Sequence, residues 1–115
     1  MTGVAVTDGD ERSALAVVRS LGRAGHAVDV VSRTGRSLAG ASRYARSDTA
    51  APDPLGDRAA FRRAVRNLVA DRSSAVLLPI TEASLHALLP QRDELGDVRI
   101  PCPDYEAFLD AADKA

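Results

Sequence analysis

Between Gly3 and Val31 the apolar positions change period twice. Val4 and Val6 form a short β-branched run, and Asp8-Gly9-Asp10-Glu11 interrupts it. From Ser13 onward Leu15, Val18, Leu21 and Gly22 share one face at helical spacing, while Arg12, Arg19 and Arg23 lie away from it. Asp8 with Glu11 three residues on has the spacing of a capping box, so the pattern predicts Asp8 as the N-cap of this helix. Gly25 is the expected C′ residue, able to turn left-handed without a Cβ penalty. Ala27 to Val31 then resumes strand alternation, Val28 and Val30 against Asp29. A unit this short makes its two strands parallel neighbours joined by a right-handed crossover.

The pattern continues in the same manner. Ser32 to Ser42 has no period and reads as a loop or one irregular turn. Arg46 to Ala50 is a candidate edge strand, stopped by Pro52 and Pro54. Asp57 caps an expected helix to about Arg72, with Phe61, Ala64, Val65, Leu68 and Val69 on one stripe. Ala75 to Leu78 is an uninterrupted apolar run, as expected of a strand buried on both faces at the centre of a parallel sheet. Thr81 caps a further helix through about Leu89, with Leu85, Leu88 and Leu89 inward, and Pro90 ends or kinks it. Val98 to Ile100 is a last expected strand, and Asp104 caps a helix carrying Tyr105, Phe108, Leu109 and Ala112.

This alternation predicts an α/β fold, a three-layer Rossmann-like parallel sheet with helices on both faces and strand order 3-2-1-4-5. Ligands of such sheets bind at the carboxyl ends of the strands where the order reverses. Two segments are expected there, the turn Thr7 to Arg12 and the turn Pro79 to Glu82.

Composition narrows the function classes. At 115 residues there is room for one domain, and 3% aromatics mean a core of aliphatic side chains. A net charge of -1 shows no bias toward nucleic acid or acidic lipid, and neither is expected as a partner. No apolar run approaches the roughly 18 to 20 residues of a membrane helix, and the N-terminus lacks a signal-peptide pattern. A single cysteine, Cys102, cannot form an internal disulfide, so a cytoplasmic protein is the expectation. Neither His26 nor His86 has a second His or Cys nearby at metal-ligand spacing, and no metal site is expected.

The ordered set V-T-D-G-D-E-R-S-A-L-A-V-V-R-S-L-G-R-A-G-H-A-V-D-V-V, S-R-Y-A, A-V-L-L-P-I-T-E-A-S-L and I-P-C-P-D-Y-E-A-F-L-D-A-A-D-K resembles the N-terminal preATP-grasp domain of ATP-grasp enzymes. More narrowly, it resembles the carboxylate-amine ligase and carbamoyl-phosphate-synthase-like branch, across essentially the whole chain. The resemblance implies an N-terminal piece of a longer enzyme, forming one wall of a substrate cleft and packing against a C-terminal ATP-grasp domain of the same chain. It implies that ATP and Mg2+ serve the full-length enzyme and are held beyond Ala115. The parent reaction would phosphorylate a carboxylate to an acyl phosphate, which an amine then attacks. No catalytic residue is expected in this piece. The pair Asp113-Lys114 stands where the family passes to its ATP-grasp domain, which makes Lys114 a candidate nucleotide contact beside the plainer reading of a solvated helix-end lysine.

The candidate substrate residues are Asp8, Gly9, Arg12, Thr81 and Glu82. Gly9 could let the backbone approach a ligand, Arg12 could grip a carboxylate with two bonds, and Asp10 could line the same pocket. Capping by Asp8 and Thr81, a turn at Gly9 and a dipole contact from Glu82 explain the same residues structurally. Acidic residues beside Arg12 would repel a bare phosphate, favouring a carboxylate or amine. Two other functions compete: an NAD(P)-binding oxidoreductase domain, for which Ser32-Arg33 could mimic a 2′-phosphate site but the first turn lacks G-x-G-x-x-G, and a noncatalytic receiver-like module, for which no Asp ends the third strand.

Overall fold

The structure is a computed structural model that describes residues 2–101. Among these residues four strands, β1 (Gly3–Val6), β2 (Ala27–Ser32), β3 (Ala45–Ala50) and β4 (Val76–Leu78), form one parallel sheet in the order β3-β2-β1-β4. The described α-helices, α1 (Arg12–Arg23), α2 (Arg58–Arg72) and α3 (Glu82–Leu88), connect and cover it, and α3 runs into a 3-10 helix over Leu89–Leu95.

The pleat divides the core in two. Val4, Val6, Val28 and Val30 point to one face and pack with Ala14 and Val18 of α1. Ala5, Val31 and Leu77 point to the other, against Phe61, Val65, Leu68 and Val69 of α2 and Ala87 and Leu88 of α3. Each such fully buried Val or Leu contributes roughly 1.5–3 kcal/mol relative to exposure. The expected three-layer α/β architecture is therefore present, and the apolar stripe read from the sequence is the buried stripe of α2. Its N-cap is Asp57, whose carboxylate accepts from the Ala60 amide at 3.0 Å. Gly25 closes α1 at a φ of 91°, the left-handed value that favours glycine.

Several expectations are corrected. The helix α1 begins at Arg12, its N-cap is Glu11, and no side chain caps it, so the capping box from Asp8 to Glu11 does not form. Asp8 has a φ of 60°, outside helical geometry, and its carboxylate bonds to the turn after β4 instead. The strand over Ala75 to Leu78 lies at the end of the four-stranded order rather than at its centre. Its outer edge is nevertheless paired: Arg99 donates its amide to the Ala75 carbonyl and accepts from the Leu77 amide, both at 2.9 Å. The expected strand over Val98 to Ile100 is reduced to that single bridge, between Val76 and Arg99. Pro101 follows at once, and a proline cannot donate to a ladder. Cys102, the helix expected from Asp104, and Lys114 lie outside the described residues.

Asp29 shows what alternation leaves open. Alternation placed it opposite Val28 and Val30, and it does point that way, yet it is completely buried. Arg46 grips its carboxylate with two bonds of 3.1 and 2.6 Å, the Ser47 hydroxyl donates at 2.6 Å, and Arg72 at the end of α2 stands 3.8 Å away. Burial works to raise the pKa of this carboxyl. The bonds from Arg46 and Ser47 and the charges of Arg46 and Arg72 outweigh it, and hold the group below the ordinary 3.8.

Candidate functional site

All four strands run parallel, so their carboxyl ends and the turns that leave them gather on one side of the sheet. The two turns expected to meet there do meet. Asp8 lies near the start of the turn after β1, and its Oδ2 accepts from the Thr81 amide at 3.2 Å and from the Ser84 hydroxyl at 2.8 Å. Its Oδ1 accepts from the Thr81 hydroxyl at 3.0 Å. The Thr7 hydroxyl also donates to Asp8, while its oxygen accepts from the Ile80 amide at 3.0 Å. Thr81 remains the N-cap of α3, accepting from the Ser84 amide at 3.3 Å. The turn after β1 and the turn after β4 are thus one hydrogen-bonded unit, 73 residues apart in sequence. Its donors to Asp8 are three hydroxyls and an amide, none of them charged.

The left-handed conformation of Asp8 makes this possible. A φ of 60° is costly for most side chains and tolerated by Asp and Asn. It turns the chain away from the helical path and aims the carboxylate across at β4. Gly9 follows for a packing reason. A Cβ there would come within 2.3 Å of the Ser37 hydroxyl and 2.6 Å of a Val30 methyl. Its amide donates to the Val31 carbonyl and its carbonyl accepts from Ala39, each at 2.9 Å. Gly9 therefore lets the 37–40 turn approach β1, and its backbone is occupied.

Beside this unit a cleft of about 300 Å³ opens over the carboxyl ends of β2 and β3. Val31, Ala51 and Phe61 are its buried apolar lining, and Pro52, Pro54 and Leu55 form the far lip. Leu55 is 78% exposed. Asp8, Asp10, Glu11, Thr81 and Ala83 line the near wall. Ser32 and Arg33 at the end of β2 lie between, and Arg33 donates to Asp53 at 2.6 Å across the opening. A neighbouring network fixes the floor. Asp48 of β3 accepts from the Ser32 hydroxyl and from both the amide and hydroxyl of Ser37, each at 2.7 Å, anchoring the irregular 33–42 segment.

The expected site residues separate accordingly. Asp8 and Thr81 stand at the cleft and build its wall, and Asp10 lines it. Arg12 and Glu82 are exposed and outside the lining. Arg12 is the first residue of α1 and takes no part in the lining. Residues not anticipated are Glu11, Asp53 and Phe61, and Arg33, weighed only as a 2′-phosphate contact, lines the cleft bonded to Asp53. The signal for them was positional: Arg33 follows β2 directly, and the Pro-Asp-Pro segment follows β3, both at strand carboxyl ends.

Comparison with models of protein families finds no match, and comparison with curated proteins finds none either. Among the described residues no group of three His, Cys, Asp or Glu side chains is placed to hold a metal ion, and no helix is long and apolar enough to cross a membrane.

Proposed function

We propose that the chain is the substrate-cleft domain of an ATP-dependent carboxylate-amine ligase, working with an ATP-grasp domain that holds ATP and Mg2+. The supporting observation is the joining of the β1 and β4 turns through Asp8 into one wall of a cleft at the carboxyl ends of the strands, next to the reversal of strand order. That is the position at which open parallel sheets bind ligands.

The cleft residues do not fit ATP itself. Among the described residues four carboxylates, Asp8, Asp10, Glu11 and Asp53, face it against the guanidinium of Arg33, and a triphosphate would be repelled. In this reading phosphoryl transfer belongs to the ATP-grasp domain, and the present domain orients a reactant and shields it from water. An acyl phosphate hydrolyses unless water is kept away, and an apolar pocket that includes Phe61 serves that end. An NAD(P) site is disfavoured on the same charge. Gly9, the one glycine of the first turn, is moreover packed against Val30 and Ser37 rather than open to a pyrophosphate.

The test is hydroxylamine trapping with the native protein that carries this chain, supplied with ATP, Mg2+ and a panel of carboxylic acids. Formation of an acyl hydroxamate with stoichiometric ADP is the expected result. ADP release without hydroxamate for any acid, or no ATP turnover at all, would refute the ligase reading.

A further inference from the structure

The cleft has a polarity that selects between the two halves of such a reaction. Its apolar part, Val31, Ala51 and Phe61 with the exposed Leu55 at the lip, suits a hydrocarbon body. Its charged groups are not balanced. Arg33 is already bonded to Asp53, and Asp8 is saturated by Thr7, Thr81 and Ser84. Asp10 and Glu11 are the groups left over: both are exposed, both line the cleft, and neither forms an ion pair with a described residue. Glu11 is the N-cap residue of α1, yet its side chain makes no capping bond and is available to a ligand. Arg12, the residue that would have received a carboxylate, lies outside the lining.

We infer that this cleft takes the amine reactant, as a protonated amine on a hydrocarbon chain, with Asp10 and Glu11 holding the ammonium and Phe61 and Leu55 the hydrocarbon. The inference rests on the proposed ligase reading for its role, and on the cleft alone for its binding chemistry. A carboxylate would meet two uncompensated carboxylates at the near wall and would have to displace Asp53 from Arg33. An ammonium meets both carboxylates without breaking any bond described above. The ligand's carbon chain then lies toward the apolar lip, removing Leu55 from water.

The experiment is an NMR titration of the 115-residue chain with hexylamine, hexanoate and hexanol at neutral pH, in low and moderate salt. Hexylamine is expected to bind at least tenfold more tightly than hexanoate and hexanol, with the largest shifts at Asp10, Glu11, Phe61 and Leu55. Raising the salt is expected to weaken it, as the pairs are exposed. The double variant Asp10→Asn with Glu11→Gln, on surface positions that leave the fold intact, is expected to reduce its binding to the level of hexanol. Preference for hexanoate, or hexylamine binding unchanged in the double variant, would overturn the inference. A hexanoate preference alongside hydroxamate formation would leave the ligase reading standing and reverse only the assignment of this cleft. Hexylamine selectivity without hydroxamate formation would leave the amine site standing and remove the ligase role.

Discussion

Two aspartates tie distant parts of this chain together, and they do so in opposite electrostatic regimes. Asp29, midway along β2, is buried and surrounded by Arg46, Ser47 and Arg72, so its charge is cancelled where it sits. Asp8, at the carboxyl end of β1, is half-buried and bonded only to neutral donors from Thr7, Thr81 and Ser84. The first arrangement joins β2, β3 and the end of α2 and leaves nothing for a ligand to meet. The second joins the turns after β1 and β4 equally firmly but leaves the charge in place, beside Asp10 and Glu11. Similar bonds thus make structure at one point and an electrostatically biased cleft at the other.

The contrast predicts unequal responses to substitution. The largest belongs to Arg46→Met, which strips the bidentate partner from a buried carboxylate and is expected to cost about 3 kcal/mol in urea unfolding. Because the Asp29 pKa is lowered in the folded state, its stabilisation is full above the ordinary value of 3.8 and is lost as pH falls through the lower folded value. Wild-type stability should therefore drop in acid below about pH 4. Arg46→Met should flatten that drop, and an unchanged acid profile would show that Arg46 does not hold the charge.

Asp8→Ala should cost about 2 to 3 kcal/mol, from lost bonds to an ionised acceptor and a left-handed alanine. Asp8→Gly removes the second penalty and should be about 1 kcal/mol more stable than the alanine variant. Equal stability of the two would argue against the 60° φ. Gly9→Ala comes next, at about 2 kcal/mol, because its Cβ would collide with Ser37 and Val30. The smallest effect is expected at Arg12→Ala, within about 0.5 kcal/mol by thermal or urea unfolding, since the side chain is exposed.

Local signals carried most of the architecture. Asp57, the Phe61 to Val69 stripe and Gly25 were readable because a cap, a 3.6-residue period and a left-handed stop are decided within a few residues. Thr81 was readable for the same reason. Asp8 was misread because a local rule was satisfied by Glu11 while stronger partners lay 73 and 76 residues away. For Asp29, alternation gives the face correctly, but not that Arg46 and Arg72 would cover it. At the cleft the meeting of the two turns followed from topology, whereas Arg33, Asp53 and Phe61 arrive from three segments that no single pattern connects. The expected last strand failed on pairing length, which depends on what lies beside it rather than on its own three residues.

Asp8 unites the β1 and β4 turns. Hydrogen exchange of the Thr81 amide, compared between wild type and Asp8→Gly, tests it most directly. That amide donates to Asp8 Oδ2. Its exchange is predicted to rise at least tenfold in the variant, while the buried amides of Val30 and Val65 slow or quicken only with global stability. Thr81 protection equal to that of wild type would show that Asp8 does not hold the two turns together.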